Sequence, residues 1–477
     1  MNNRLKFARL FLSLFFLLAL RGNSQTTEER KALALITPEL IHSHLSFLSD
    51  DLLEGRGPAT RGDRITQMYI AAQFALVGLE PGGLDGTYYQ KVPLVGMKPD
   101  PAMVLRARKG EKNEQFKFYD EFVAFSGIQE STLTITDAEF VFVGYGIVAP
   151  EQKWDDFKNV DVKGKILLMM NNDPATDDPK FFGGKARTYY GRWTYKYEIA
   201  GKKGALGALI IHTTESAGYP WKVVQSSWSH ERFSLADSPE PPLKLKGWMT
   251  EDAARRLVNL AGKNLDALRK SAEAKNFKPV PLGVTLSDTI YNAIRRLETA
   301  NVLGLLRGNA PEKRREVVVY TAHHDHFGIG TPIKGDSIYN GALDNASGTS
   351  LLLAIAKGFA EGTARPNRSV LFAAVAAEEQ GLLGSEYYVA RPTFPLSKIV
   401  ANINIDGANL LGPARDMQMI GKGRSSLDVT IEGIAKEMGI VVVSDLTPEM
   451  GFFYRSDQFN FAKAGIPAAY FHPGVNI

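Results

Sequence analysis

The chain has 477 residues, 44% hydrophobic and 23% charged, with a net charge of +4 and no cysteine. That length exceeds one ordinary core, so two domains are expected, and so small a net charge argues neither for a nucleic-acid nor for a membrane-surface partner. Without cysteine there is no disulfide and no thiolate ligand, so any transition-metal site has to be built from histidine, aspartate and glutamate.

At the start, Arg4, Lys6 and Arg9 precede the apolar run Leu10 to Leu20, and RGNSQ follows. A positive start, a short apolar middle and a small-residue exit predict a signal peptide over residues 1–24, cleaved near Ser24, and hence export to the periplasm or beyond. The run is too short to span a bilayer comfortably, so no membrane span is expected after cleavage. Residues 25–115 read as the first part of the main domain. A helix is predicted over Thr27 to Leu35, then a Thr37-Pro38 helix start with Leu40, Ile41, Leu45 and Leu48 at helical spacing. Glu54 to Asp63 is a Gly/Pro loop, and Ile65 to Leu79 an apolar helix. His42 and His44 fall in the earlier helical stretch and read as surface or packing residues.

Residues 116–285 change texture. FKFYDEFVAF, STLTITD and AEFVFVGYGIV are short β-like pieces, Val160 to Asp173 is a strand behind a turn, and Tyr197 to His212 is a helix, a glycine turn and a strand. Met249 to Gly262 has a capping threonine, early acids and late arginines, which predicts a helix. The block lacks clustered acids or histidines, so His212 and His230 are not expected to be ligands. It reads as an inserted mixed α/β domain.

Residues 286–477 return to the main domain, with a strand in ETANVLGLLRG. Three apolar runs follow: Val317 to Tyr320, Ser369 to Ala377 and Ile399 to Ile405. Little polar alternation marks them as strands buried on both faces of a parallel sheet. Between and after them come the helical runs SGTSLLLAIAKGFA, Ser425 to Gly439 and Ser456 to Gly465, and the strands MQMIG, VVVSDL and PAAYFH. The alternation predicts an α/β fold: a three-layer, mostly parallel sheet flanked by helices.

Each of the three runs ends in acid or histidine. The first runs into His323-His324-Asp325-His326, the second into Glu378-Glu379 and the third into Asp406, while Asp344 lies in the loop GALDNASG. Ligands gather outside the carboxyl ends of strands in such sheets, so the pattern predicts a metal site. His323 and Asp325, two apart, share a face, so that one can bind a metal while the other supports it. Asp344 has two oxygens with which to bridge two cations. Glu378 and Glu379 point to opposite sides, so one can ligate while the other faces the substrate water. Asp406 closes the group. Two zinc ions about 3.5–4 Å apart would clamp a hydroxide and a carbonyl oxygen, and a free carboxylate beside them would pass the water's proton to the leaving amine.

TAHHDHFGIGTPIKGDSIYNGALDNASG, AAEEQGLLGSEYY, NINIDGANLLG and SDQFNFAKAGIPAAYF together resemble the exported di-zinc aminopeptidase family, which also includes glutamate carboxypeptidases, glutaminyl cyclases and the transferrin-receptor ectodomain. HLSFLSDDLLEGRGPATRGD is similar to its N-terminal segment, and FVFVGYGIVAPEQKWDDFKNVDVKGKILLM with KKGALGALIIH to the protease-associated domain that many members insert. The resemblance implies a zinc-dependent aminopeptidase acting on peptide substrates. It assigns His323 and Asp406 to one zinc, Asp344 to the bridge, Glu379 to the other zinc, Glu378 as general base and Asp325 as the orienting acid. His324 and His326 match variable positions and receive no metal role, and Asp457 matches an acid ahead of a substrate-pocket helix. The family's second zinc also takes a histidine from a C-terminal Tyr-His-x-x-x-Asp-like segment. The chain stops at Ile477 before one, and His472 is not at the matching position. The expectation is a chain cut short, with a one-zinc variant or a substitute role for His472 as alternatives. Glutaminyl cyclisation and a receptor-like member without catalysis are the alternative functions.

Overall fold

The computed structural model describes residues 26–238, 243–409 and 412–476, so the expected signal segment lies outside the described residues. Its larger sheet runs, strand by strand, Arg232–Leu235, Tyr89–Pro99, Val280–Leu306, Ser369–Val375, Val317–His323, Ile399–Asn404, Ala468–Pro473, Asp416–Ile420 and Val441–Ser444. From Ser369–Val375 to Ala468–Pro473 the neighbours are parallel. Every residue of Ser369–Val375 is buried, as its unbroken apolar pattern predicts for a central strand. Register puts the carboxyl ends level: His323 pairs with Val375, and Thr321 with Asn404. The acids that follow each strand therefore emerge along one edge.

Helices cover both faces. On one side Leu352, Leu353 and Ala356 of Gly348–Glu361 and Ile70 and Phe74 of Arg61–Leu76 pack against Val302, Phe372 and Ala374. On the other, Tyr388 and Phe461 pack against Val319, Leu371 and Val375. This is the three-layer arrangement expected. The Arg61–Leu76 helix begins four residues before the predicted Ile65. Thr60 accepts from the Asp63 amide at 3.3 Å, and the Asp63 carboxylate turns back to the Ala59 amide at 2.7 Å, so a Thr-x-x-Asp cap starts the helix inside what reads as loop.

A second sheet gathers strands from Val104 onward. Thr132–Phe142, Ile166–Met170, Gly207–His212 and Leu245–Thr250 are its parallel centre. The Val280–Leu306 strand, 27 residues long, serves both sheets. Its Val280 to Tyr291 half pairs with Thr132–Phe142, and its Asn292 to Val302 stretch pairs with Tyr89–Pro99. Its charged middle, IRRLE, hides this continuity in the sequence. No helix among the described residues is long and apolar enough to cross a membrane.

Candidate metal centre

His323 ends its strand with the imidazole buried, 1% exposed. Its Nδ1 edge faces Asp325: the Asp325 carbonyl is 3.2 Å away and Oδ1 3.7 Å away. Its Nε2 edge faces the acids, with Asp344 Oδ1 at 3.1 Å, Asp406 Oδ1 at 3.3 Å and Glu378 Oε2 at 4.0 Å. One imidazole edge is thus held by the Asp325 main-chain carbonyl, with the buried carboxylate behind it, while the other points at a cluster of oxygens, the usual polarity of a metal-binding histidine.

Asp325 does more than face His323. It is fully buried, and its two carboxylate oxygens accept the backbone amides of Glu378 at 3.0 Å and Glu379 at 3.3 Å. One side chain therefore ties the end of the first strand to the glutamates after the second. Ala377, just before them, sits in the left-handed region at φ 54, a placement that costs a non-glycine residue energy and clusters at functional sites. Asn345, beside Asp344, ties the third element: its Oδ1 accepts the amides of Gly348 and Gly407, both at 2.9 Å, and its Nδ2 donates to the Ile405 carbonyl at 2.9 Å.

Two groups of ligand-type atoms result, each with its atoms within 4.8 Å of one another: His323, Asp344 and Asp406, and His326, Asp344 and Glu379. Asp344 belongs to both, and with its side chain 57% exposed it stands at the mouth. His326 has no metal role in the sequence reading, yet its Nδ1 lies 2.6 Å from Glu379 Oε1. The two atoms are buried, out of line for a hydrogen bond and otherwise unpartnered. Paired electron-rich atoms left without donors, in an all-nitrogen-and-oxygen set, suit zinc. His324 turns away, its Nε2 donating to buried Asp63 Oδ1 at 3.0 Å. His472 lies in the Ala468–Pro473 strand with Nε2 2.9 Å from the Tyr470 hydroxyl and belongs to neither group. His212 and His230 turn to the main-chain carbonyls of Tyr219 and Ser226.

Crowding sets the protonation states. Burial, then the carboxylates of Asp406, Glu379 and Asp457, push Glu378 well above the usual carboxylate range. Burial raises Glu379 as well, with Asp344 adding to it. Burial works against Asp325 and Asp344, but hydrogen bonding to His323 and its charge hold both below the usual range. Asp457 is fully buried. Ser385 donates to its Oδ1 at 2.6 Å while Oδ2 has no partner, and burial raises it to about 7.

Sequence reasoning missed Arg56. Glu54, Gly55 and Arg56 all have positive φ, a kink that turns the guanidinium inward, where it is 1% exposed. Nε donates to the His324 carbonyl at 2.9 Å, Nη2 to the Gly341 carbonyl at 2.9 Å, and Nη1 to the Asn340 carbonyl at 2.6 Å and to the Leu48 carbonyl. Arg56 thereby pins the N-terminal segment to the loops carrying Asp325 and Asp344. Burial lowers it to about 10, against the pull of Asp325, Asp344 and Glu379. The available signal was the EGRG glycine pair, which reads as an ordinary loop.

Residues 301–476 match the model of peptidase family M28. Aminopeptidase NAALADL1 of Mus musculus is 31% identical over 180 residues, covering 35% of this chain and 22% of that protein. The glutamate carboxypeptidase 2 homolog of Caenorhabditis elegans is 26% identical over 321 residues, covering 56% of this chain and 37% of that protein. The chain therefore spans well under half the length of these curated relatives. Among solved structures, an aminopeptidase from Aneurinibacillus sp. strain AM-1 has a similar fold, with a TM-score of 0.51 at 19% identity, covering 94% of this chain and 88% of that one.

Proposed function

Because residues 301–476 belong to peptidase family M28, we propose that the chain is a zinc-dependent exopeptidase that removes N-terminal residues from peptides. The observation that carries this reading is the convergence of His323, Asp344 and Asp406, and of His326, Asp344 and Glu379, around shared points, with Glu378 beside them. His323 and Asp406 would hold one zinc and Glu379 the other, with Asp344 common to both. Bound there, zinc supplies Lewis acidity toward a peptide carbonyl and toward water.

The chain's own residues do the rest. Glu378 Oε2, 4.0 Å from His323 Nε2, is the base that takes a proton from the attacking water and returns it to the leaving amine. Its raised affinity for a proton, which comes from burial and neighbouring acids, matches that double duty. Asp325 fixes both the direction of the His323 ring and the backbone that presents Glu378 and Glu379. Export follows from the residue 1–24 reading and belongs to the same proposal.

The test is hydrolysis of aminoacyl amides together with zinc content by atomic emission. Glu378→Gln should keep its zinc and lose about 10²–10⁴-fold in kcat. Full activity in that variant at equal zinc would sink the mechanism. Peptides blocked at the amino end should resist cleavage; turnover from the carboxyl end would reassign the enzyme.

A further inference from the structure

The second sheet has a carboxyl edge of its own, and a cavity of about 400 Å³ lies along it. Asn171, Asn172 and Asp173 follow the Ile166–Met170 strand, Thr213 follows Gly207–His212 and Glu251 follows Leu245–Thr250, and the three strands are parallel. All five residues line the cavity. The crevice outside the carboxyl ends of parallel strands is where such a sheet takes a ligand, and the volume suits a small molecule. The hydrogen bonding of the wall is one-sided. Asn171 is 5% exposed. Its Nδ2 donates to the Ser216 carbonyl at 2.9 Å, which fixes the amide, and its Oδ1 is buried with no partner. The Asn172 Oδ1 is buried and unpartnered as well. Nearby donors are turned to other acceptors: Thr213 Oγ1 to Ser216 Oγ at 3.0 Å, Ser216 Oγ to the Thr213 carbonyl at 3.3 Å, and Arg269 Nη1 to Glu251 Oε1 at 2.6 Å. Behind the wall, Lys196 Nζ donates to the Asn172 carbonyl at 2.7 Å and Arg187 Nη2 to the Ser216 carbonyl at 3.1 Å. Asp173 is held by Thr188, whose amide and hydroxyl both donate to Oδ2. Glu215, also in the lining, is exposed at the rim.

A buried amide oxygen without a donor is unfavourable and calls for a partner. A wall that offers oxygens and keeps its donors occupied selects a ligand that brings donors and no acceptors. Ammonium and guanidinium heads are such groups, whereas every hydroxyl of a sugar or polyol brings acceptor lone pairs with its donor. A bare metal ion fits less well. Among the described residues, the groups of three histidine or acid ligand atoms close enough to share an ion lie at the metal centre, and neither includes a residue of this cavity. We propose that the cavity at the carboxyl edge of the second sheet binds the guanidinium or ammonium head of an organic cation, held by the side-chain oxygens of Asn171 and Asn172, with the Glu215 carboxylate at the rim. The site stands apart from the peptidase reading and does not depend on it.

Calorimetry on the full chain in the presence of zinc tests the site, with n-butylguanidinium and its neutral isostere n-butylurea as probes. The guanidinium should bind about tenfold tighter than the urea, and Asn171→Leu and Glu215→Lys should each weaken it about fivefold or more. The two variants place the binding in this cavity rather than at the acidic metal centre, which neither touches. No binding of n-butylguanidinium by the wild type, equal affinity for the two probes, or unchanged affinity in either folded variant overturns the site. Circular dichroism establishes folding. Glu215 is exposed, so Glu215→Lys decides alone if Asn171→Leu does not fold. A second pair separates the sources of the cation: acetyl-Ala-Arg-Ala-amide and its citrulline twin, blocked at both ends so that no terminal charge competes. Preference for the arginine peptide supports the site and puts the head on a polypeptide side chain. Preference for n-butylguanidinium over n-butylurea without any for the arginine peptide supports the site for a free cation.

Discussion

Asp325→Asn probes the hub of the centre. The aspartate accepts two backbone amides, from Glu378 at 3.0 Å and Glu379 at 3.3 Å, and faces His323 Nδ1. Asparagine keeps the shape but has one accepting oxygen, so whichever way the amide turns, one of the two backbone N–H groups meets an N–H instead. The lost charge-assisted hydrogen bond and the stranded buried donor together cost about 2–5 kcal/mol. Part of that cost falls on the positions of His323, Glu378 and Glu379, and losing such a support typically weakens metal binding about 10–100-fold. Zinc affinity, by competition with a chromophoric chelator, and urea unfolding of the zinc-free protein measure the two parts separately. Zinc affinity within twofold of wild type, with an unchanged urea midpoint, would refute the role given to Asp325.

The remaining expectations concern buried charge. Asp63 accepts from Ala59, Thr299 and His324, so Asp63→Ala strands those groups and should destabilise the fold by about 3–5 kcal/mol; a denaturation midpoint within error of wild type would contradict this. Lys196 is fully buried, donating to the Tyr145 and Asn172 carbonyls at 2.7 Å each, and burial lowers it from 10.5 to about 7. The unfolded chain then holds the extra proton between those values, so stability rises with pH across that window, by up to about 1.4 kcal/mol per unit, and the penalty is complete below it. Lys196→Met should flatten the rise in urea midpoints from pH 7 to 10, and parallel profiles would rule the assignment out. Glu378 and Glu379 are pushed toward protonation, so zinc uptake should release protons and tighten as pH rises; calorimetry in buffers of different ionisation enthalpy that finds no release near neutral pH would overturn that reading.

The central strands were legible because residues buried on both faces need no polar alternation, and the acids after them were legible because strand ends collect ligands. His323, Asp344, Glu379 and Asp406 converge as their positions suggested. The contacts that fix them were not legible. Arg56 reaches its four carbonyls through a left-handed kink that three residues of loop sequence do not announce. His326 meets Glu379 because the chain turns after Asp325, and local spacing carries no trace of a contact between residues 53 positions apart. The start of the Arg61–Leu76 helix was written in Thr60 and Asp63, but Gly57 and Pro58 next door outweighed that cap. The Val280–Leu306 strand was hidden because the exposed, charged stretch Arg295 to Glu298, just past the point where the strand leaves one sheet for the other, breaks its apolar pattern.

Two fully buried aspartates flank the centre and meet opposite fates. Asp325 receives two backbone amides and the His323 edge, so it stays ionised despite burial. Asp457 receives one hydroxyl, keeps an oxygen without a partner, and is raised to about 7. Environments that drive paired acids apart in this way assign their tasks. Asp325 supplies a fixed negative charge behind the imidazole. Asp457, able to carry a proton near neutral pH, limits the negative charge that Glu378 must face from that side. Where Asp457 carries its proton, Glu378 loses its own at a smaller electrostatic cost than a third ionised neighbour would impose, as the base proposed above requires.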